Sequence, residues 1–120
     1  MTKSFIAAEE AIKCMLVSDP YIFVGGCDPV IRGYNVETGE KKEYDGHKGW
    51  VYCLTVQDGY LFSGGDDNTV KVWEIETGKM VDELVAHENG VTCLTFAYGD
   101  LYSGSYDHYI FCWDLLEIKK

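Results

Sequence analysis

Ser63-Gly64-Gly65-Asp66-Asp67-Asn68-Thr69-Val70-Lys71-Val72-Trp73-Glu74 is the stretch that decides the fold. Gly64 to Asn68 is a run of turn formers. Thr69 to Trp73 then alternates, which puts Val70 and Val72 on one face of a strand. Outward from it, Val51-Tyr52-Cys53-Leu54-Thr55-Val56 is β-rich and stops at Asp58-Gly59, a hairpin-type dipeptide, before Tyr60-Leu61-Phe62-Ser63. On the other side, Glu76-Thr77-Gly78 turns again, and Lys79 to Val85 reads as a last, more polar strand. The unit is therefore four short antiparallel strands.

The unit recurs. Cys14, Cys53 and Cys93 are 39 and 40 residues apart, and the same offsets link Asp28, Asp67 and Asp107, and Tyr34, Trp73 and Trp113. Glu37-Thr38-Gly39 returns as Glu76-Thr77-Gly78, and Gly46-His47 as Ala86-His87. Apart from the short C-terminal stretch Leu115 to Lys120, nothing has the length and period of a helix. Four strands per roughly forty residues, repeated, is the pattern of a β-propeller blade.

At these positions the units resemble WD repeats. Gly46-His47, Ser63-Gly64-Gly65-Asp66-Asp67 and Val72-Trp73-Glu74 carry the resemblance in unit two; Ala86-His87, Ser103-Gly104-Ser105-Tyr106-Asp107 and Cys112-Trp113-Asp114 carry it in unit three. It implies an all-β propeller with three blades' worth of strands in this chain. It also implies a buried hydrogen-bond network of His47, Ser63, Asp67 and Trp73, and another of His87, Ser103, Asp107 and Trp113. The chemistry is reasonable, because a buried imidazole, carboxylate and indole N–H must each find a partner. Unit one departs from the pattern: Ala8, Val24 and Tyr34 stand at the His, Ser and Trp positions, and Asp28 alone remains. Blade one is expected to lack the network, to rest on apolar packing, and to be the least protected blade.

The chain has 120 residues and a formal charge of −10, with 47% apolar residues. That is one domain, 1–120, with repeat units at about 1–34, 35–73 and 74–115 and a tail at 116–120. Such an acidic chain is a poor partner for nucleic acid or anionic membrane. No apolar run is long enough for a membrane helix, and no signal-peptide core is visible. Five cysteines without a Cys-x-x-Cys pair read as reduced thiols in a cytoplasmic protein. No cofactor or metal is expected.

The alignment places Phe5-Ile6-Ala7 on Leu84-Val85-Ala86, the outermost strand of a unit. The chain then begins with an outer strand, at about 3–7, and its last blade lacks one. Three blades cannot close a ring of roughly four to eight. The expectation is assembly: two copies make six blades, each opening strand completing the other copy's last blade through Phe5 and Ile6. A trimer of nine blades is the wider alternative. Such a strand adds about four backbone hydrogen bonds at ~1 kcal/mol net each. A piece of a longer repeat protein, or half of a heteromeric propeller, is the other reading; Met1 points mildly to a complete product.

The resemblance places function on the ring faces, mostly as recognition of a protein or peptide. The top-face candidates are Lys13, Lys48, Trp50, Tyr52, Asp66 and Tyr106. Trp50 and Tyr106 are large aromatics of the kind found at binding hot spots; the plainer reading folds both down as structure. A Ser-His-Asp hydrolase is the alternative from another class, but the set occurs twice and no Gly-x-Ser-x-Gly elbow accompanies it. Cys14, Cys53 and Cys93 read as small core residues, Cys112 as facing a neighbouring blade, Cys27 as a turn thiol and His108 as a solvated turn residue. The overall expectation is a non-catalytic interaction scaffold, with a structural subunit of a larger complex as the alternative.

Overall fold

The apolar runs become strands because β-branched and aromatic residues alternate between Gly- and Asp-rich turns. The computed structural model describes residues 10–85 and 87–114. Among them the chain forms β1 (Ile12–Ser18), β2 (Tyr21–Gly26), β3 (Ile31–Asn35), β4 (Lys41–Tyr44), β5 (Val51–Gln57), β6 (Tyr60–Gly65), β7 (Thr69–Glu74), β8 (Met80–Val85), β9 (Val91–Ala97), β10 (Asp100–Ser105) and β11 (Ile110–Asp114). These make three antiparallel meanders, β1-β2-β3-β4, β5-β6-β7-β8 and β9-β10-β11. We call them blades one, two and three. Phe5, Ile6, Ala8 and the tail 116–120 lie outside the described residues, as does the opening strand expected at about 3–7.

Asp58 and Gly59 turn β5 into β6 with φ of 51° and 82°, and Tyr98 and Gly99 repeat this with 54° and 83°. Both residues sit in the left-handed region that a two-residue hairpin of this twist requires. One turn differs from the sequence reading. Gly64 and Gly65 belong to β6, and the chain turns only at Asp66. A glycine inside a strand marks close approach by another chain segment. Here the segment is the next blade: a Cβ on Gly64 would lie 2.6 Å from Val91 Cγ1.

The core lies between blades. Phe23, Ile31 and Tyr44 of blade one meet Val51, Leu61, Trp73 and Ile75 of blade two. Cys53, Phe62, Val70 and Val72 of blade two meet Val91 and Leu101 of blade three. A middle blade is thus covered on both faces, which is why Leu61-Phe62 and Val70-Lys71-Val72 are buried without a break. Each fully buried large apolar side chain stabilises the arc by about 1.5–3 kcal/mol. An edge-to-face series, Phe23 to Tyr44 at 5.9 Å and Tyr44 to Trp73 at 6.0 Å, runs through the first joint. The Tyr44 hydroxyl donates to the Ile75 carbonyl at 2.8 Å, tying the outer strand of blade one to blade two. Burial pushes the Tyr44 phenol up to about 12.

Two cysteine positions depart from expectation for one reason. Cys53 is buried, but Cys93, at the same repeat position, is exposed. Nothing among the described residues covers the far face of blade three, so the position that is core between blades is surface there. Cys112 is exposed on the same blade.

Candidate functional site

A bulge opens the first strand of every blade. Ile12 pairs with Gly26 and Cys14 with Gly25, so Lys13 is extra; Tyr52 is extra between Val51 and Cys53 in β5. Thr92 is extra between Val91 and Cys93 in β9. A bulge re-aims the side chain it carries. The loops beside these bulges are pinned alike: the Asp66 amide donates to the Trp50 carbonyl at 2.8 Å, Tyr106 to Gly90 at 3.1 Å and Cys27 to Ala11 at 2.9 Å.

The result is a continuous surface spanning the three blades. Lys13 Nζ lies 5.0 Å from the centre of the Trp50 ring. Trp50 meets Tyr52 edge to face at 6.5 Å, and Tyr52 meets Tyr106 in the same way at 6.1 Å. The Tyr52 hydroxyl donates to Asp66 Oδ1 at 3.2 Å. Its pKa is raised, first by burial and then by the Asp66 carboxylate. Trp50 is 44% exposed and Tyr106 59%, so neither ring is folded into the core. The structure therefore brings Lys13, Trp50, Tyr52, Asp66 and Tyr106 together. Lys48 is exposed at one side, where its amide donates to Asp67 Oδ2 at 3.1 Å. Chemically the surface offers aromatic faces, one carboxylate and one ammonium, which suits a short polar segment with an anchoring side chain.

Beneath it sit the polar networks. His47 Nδ1 is 2.9 Å from Asp67 Oδ2 and Nε2 is 2.6 Å from Ser63 Oγ, while Trp73 Nε1 donates to Ser63 Oγ at 2.8 Å. In blade three the distances are 2.8 Å for His87 to Asp107, 2.8 Å for His87 to Ser103 and 2.9 Å for Trp113 to Ser103. A carboxylate only accepts, so Nδ1 carries a proton. With a neutral ring, Nε2 accepts from the serine, whose oxygen accepts from the indole. Every member is then satisfied. The serines are fully buried, so their hydroxyls are spent on structure.

The aspartates are held as anions. At Asp67 burial opposes ionisation, but hydrogen bonds from His47, Thr69 and the Lys48 amide outweigh it and hold the carboxyl well below the usual range. At Asp107 burial likewise opposes, and the Tyr109 and Glu88 amides with His87 bring the carboxyl down to about 2.

Blade one is stapled differently from expectation. It lacks the histidine network, yet apolar packing is not its sole support: Arg32 Nη1 donates to Asp28 Oδ2 at 2.6 Å and the Val30 amide to Oδ1 at 3.0 Å. Arg32 also reaches Glu43 at 3.5 Å. Lys71 holds the matching place in blade two, buried, 2.8 Å from Glu83 and 3.8 Å from Asp67. The signal was readable, since Asp28/Arg32 and Asp67/Lys71 share a spacing of four and a period of 39. Tyr44 had no repeat partner of its own type to announce it.

Among the described residues no group of His, Cys, Asp and Glu is arranged to hold a metal, and no helix is long and apolar enough to cross a membrane. The WD40 profile, described as WD domain, G-beta repeat, matches residues 39–74 and 78–114. The chain belongs to the WD40 repeat family. Among solved structures it is similar to the computationally designed Ika8 protein, with 25% identity, a TM-score of 0.84, and 90% of this chain and 34% of that one covered. It is also similar to U3-55K, at 26% identity and TM-score 0.86, covering 93% of this chain and 38% of that one. The RRP9 WD40 repeats match at 27% and 0.85, again over 93% and 38%. The chain thus spans about a third of the length of the structures it matches, as part of a propeller. No curated protein matches the sequence.

Proposed function

We propose that this chain is a non-catalytic protein-interaction scaffold, and that the surface built from Lys13, Trp50, Tyr52, Asp66 and Tyr106 takes up a protein or peptide segment. The observation that supports it is the exposed aromatic series across the blades, anchored by bulges and pinned loops. Membership in the WD40 family supports the scaffold class. The ring is completed by a second copy, giving six blades, with residues 3–7 adding an outer strand beside the three described strands of blade three. The protein works in the cytoplasm without a cofactor, nucleic acid or membrane. The test is a displayed peptide library panned against the protein. Trp50→Ala abolishes capture of the selected peptides while the melting temperature stays within a few degrees. Undiminished capture, or a large loss of stability, contradicts the site.

The share of each matched structure that the chain spans favours a second reading, in which further blades of one longer polypeptide complete the ring. Deleting residues 1–7 separates the two: the solution mass falls to one chain under the first reading and is unchanged under the second.

A further inference from the structure

The two internal joints share one geometry. At the first, Val51 sits over Gly25 and Cys14: a Cβ on Gly25 would lie 2.7 Å from Val51 Cγ1, and the Cys14 thiol donates to the Val51 carbonyl at 3.8 Å. At the second, Val91 sits over Gly64 and Cys53, with 2.6 Å for the Cβ and 3.7 Å for the thiol. Each joint is a β-branched knob in a socket made of a glycine and a thiol. Any side chain at the glycine would evict the knob. Both knobs are wholly buried.

Blade three carries the same socket, open. Cys93 and Gly104 hold the two positions, and among the described residues a Cβ on Gly104 would meet only the Cys93 sulfur. Ile110 is 76% exposed where its counterpart Val70 is buried. Cys93, Tyr102, Gly104 and Ile110 help to line an open depression of about 160 Å³. At the far end, Ile12 is the repeat counterpart of Val51 and Val91. It is 50% exposed, and Met15 and Val17 are exposed beside it. Among the described residues, blade one therefore presents an uncovered knob and blade three an empty socket. Complementary patches on opposite ends make a heterologous contact, which closes into a ring when the rotation fits.

We infer that Ile12 of a second copy seats in the Cys93–Gly104 socket, the Cys93 thiol donating to the Ile12 carbonyl. This rests on the two-copy ring proposed above and names its joint. The occupant follows from the template: both internal sockets accept a β-branched residue from the start of a blade's first strand, and among the described residues the exposed one of that kind is Ile12. Two such joints close six blades. Joining would turn Cys93 from an exposed thiol into one at least half-buried like Cys14, whose thiol burial pushes up to about 11.

The experiment uses the full chain with Cys27→Ser and Cys112→Ser, leaving Cys93 as the exposed thiol. Added Ile12→Cys is expected to crosslink to Cys93 through a short bis-maleimide in most chains, and Cys93→Ser to abolish it. Without the added cysteine, maleimide labelling of Cys93 slows at least tenfold between dilute and concentrated protein. Ile12→Asp and Ile110→Asp, both on exposed positions, each weaken association at least tenfold while leaving the melting temperature unchanged in protein dilute enough for the parent to be a single chain. A two-chain mass with no crosslink and unprotected Cys93 overturns this joint while leaving the two-copy ring standing. A folded single-chain mass at all concentrations overturns both, and assigns the socket to a blade from elsewhere.

Discussion

Trp73 donates its indole N–H to Ser63 Oγ at 2.8 Å, and the same oxygen lies 2.6 Å from His47 Nε2. The bond ties β6 to β7 and both to the loop ahead of β5. Ser63→Ala strands an indole N–H and an imidazole nitrogen where water does not reach. The expected cost is about 1–3 kcal/mol for each buried group left unpaired, read as a lower urea midpoint with an unchanged slope. His87→Ala is expected to destabilise blade three similarly while leaving no hydrolytic signal to lose. Ester hydrolysis by the parent that vanishes in His87→Ala contradicts the structural role.

Stability should fall on acidification. Asp67 and Asp107 are below the ordinary carboxylate range in the folded protein, Asp107 at about 2. The unfolded chain therefore binds protons at higher pH than the folded one, and stability declines wherever it does so. Their contribution is present above about pH 4, the unfolded value; that of Asp107 is lost as pH falls through about 2, and that of Asp67 at lower pH still. Melting temperatures between pH 5 and 2 check this. Asp107→Asn should flatten the slope; an unaltered slope contradicts the assignment.

Arg32 is the staple of blade one. Arg32→Met keeps the aliphatic stem but removes the donor 2.6 Å from Asp28 Oδ2. The expected loss is about 2 kcal/mol, since a carboxylate is left without its cation. Adding Asp28→Asn should recover part of it, giving a coupling in a double-mutant cycle. Additive losses would mean the pair does not act together.

Association should tighten with salt. Two chains of −10 repel, and the joints described are apolar. Screening shortens the reach of that repulsion from about 30 Å at 0.01 M to about 10 Å at 0.1 M ionic strength. Sedimentation across that range should show the dimer favoured at the higher value; the reverse would point to joints held by ion pairs.

Much of this was legible because a repeat checks itself. Val70 and Val72 share a face and a burial, and His47 and His87 find the same partners 20 residues on. The less legible features break the repeat or depend on a neighbour. Arg32 serves Asp28 where no histidine is present. Tyr44 crosses from one blade to the next. Gly64 and Gly65 look like a turn and are strand, because the reason for Gly64 is Val91 of the next blade. Cys93 has the sequence of a core residue and the exposure of a surface one, since its cover is not among the described residues. The top-face aromatics were visible as residues. Their contact was not, because it depends on bulges at Lys13 and Tyr52 that no local composition marks.

Sedimentation equilibrium of the 120-residue chain at micromolar concentration and 0.15 M salt tests the two-copy ring in one run. Six blades from two polypeptides require twice the chain mass of 13.5 kDa. A folded, cooperative species of single-chain mass would contradict it.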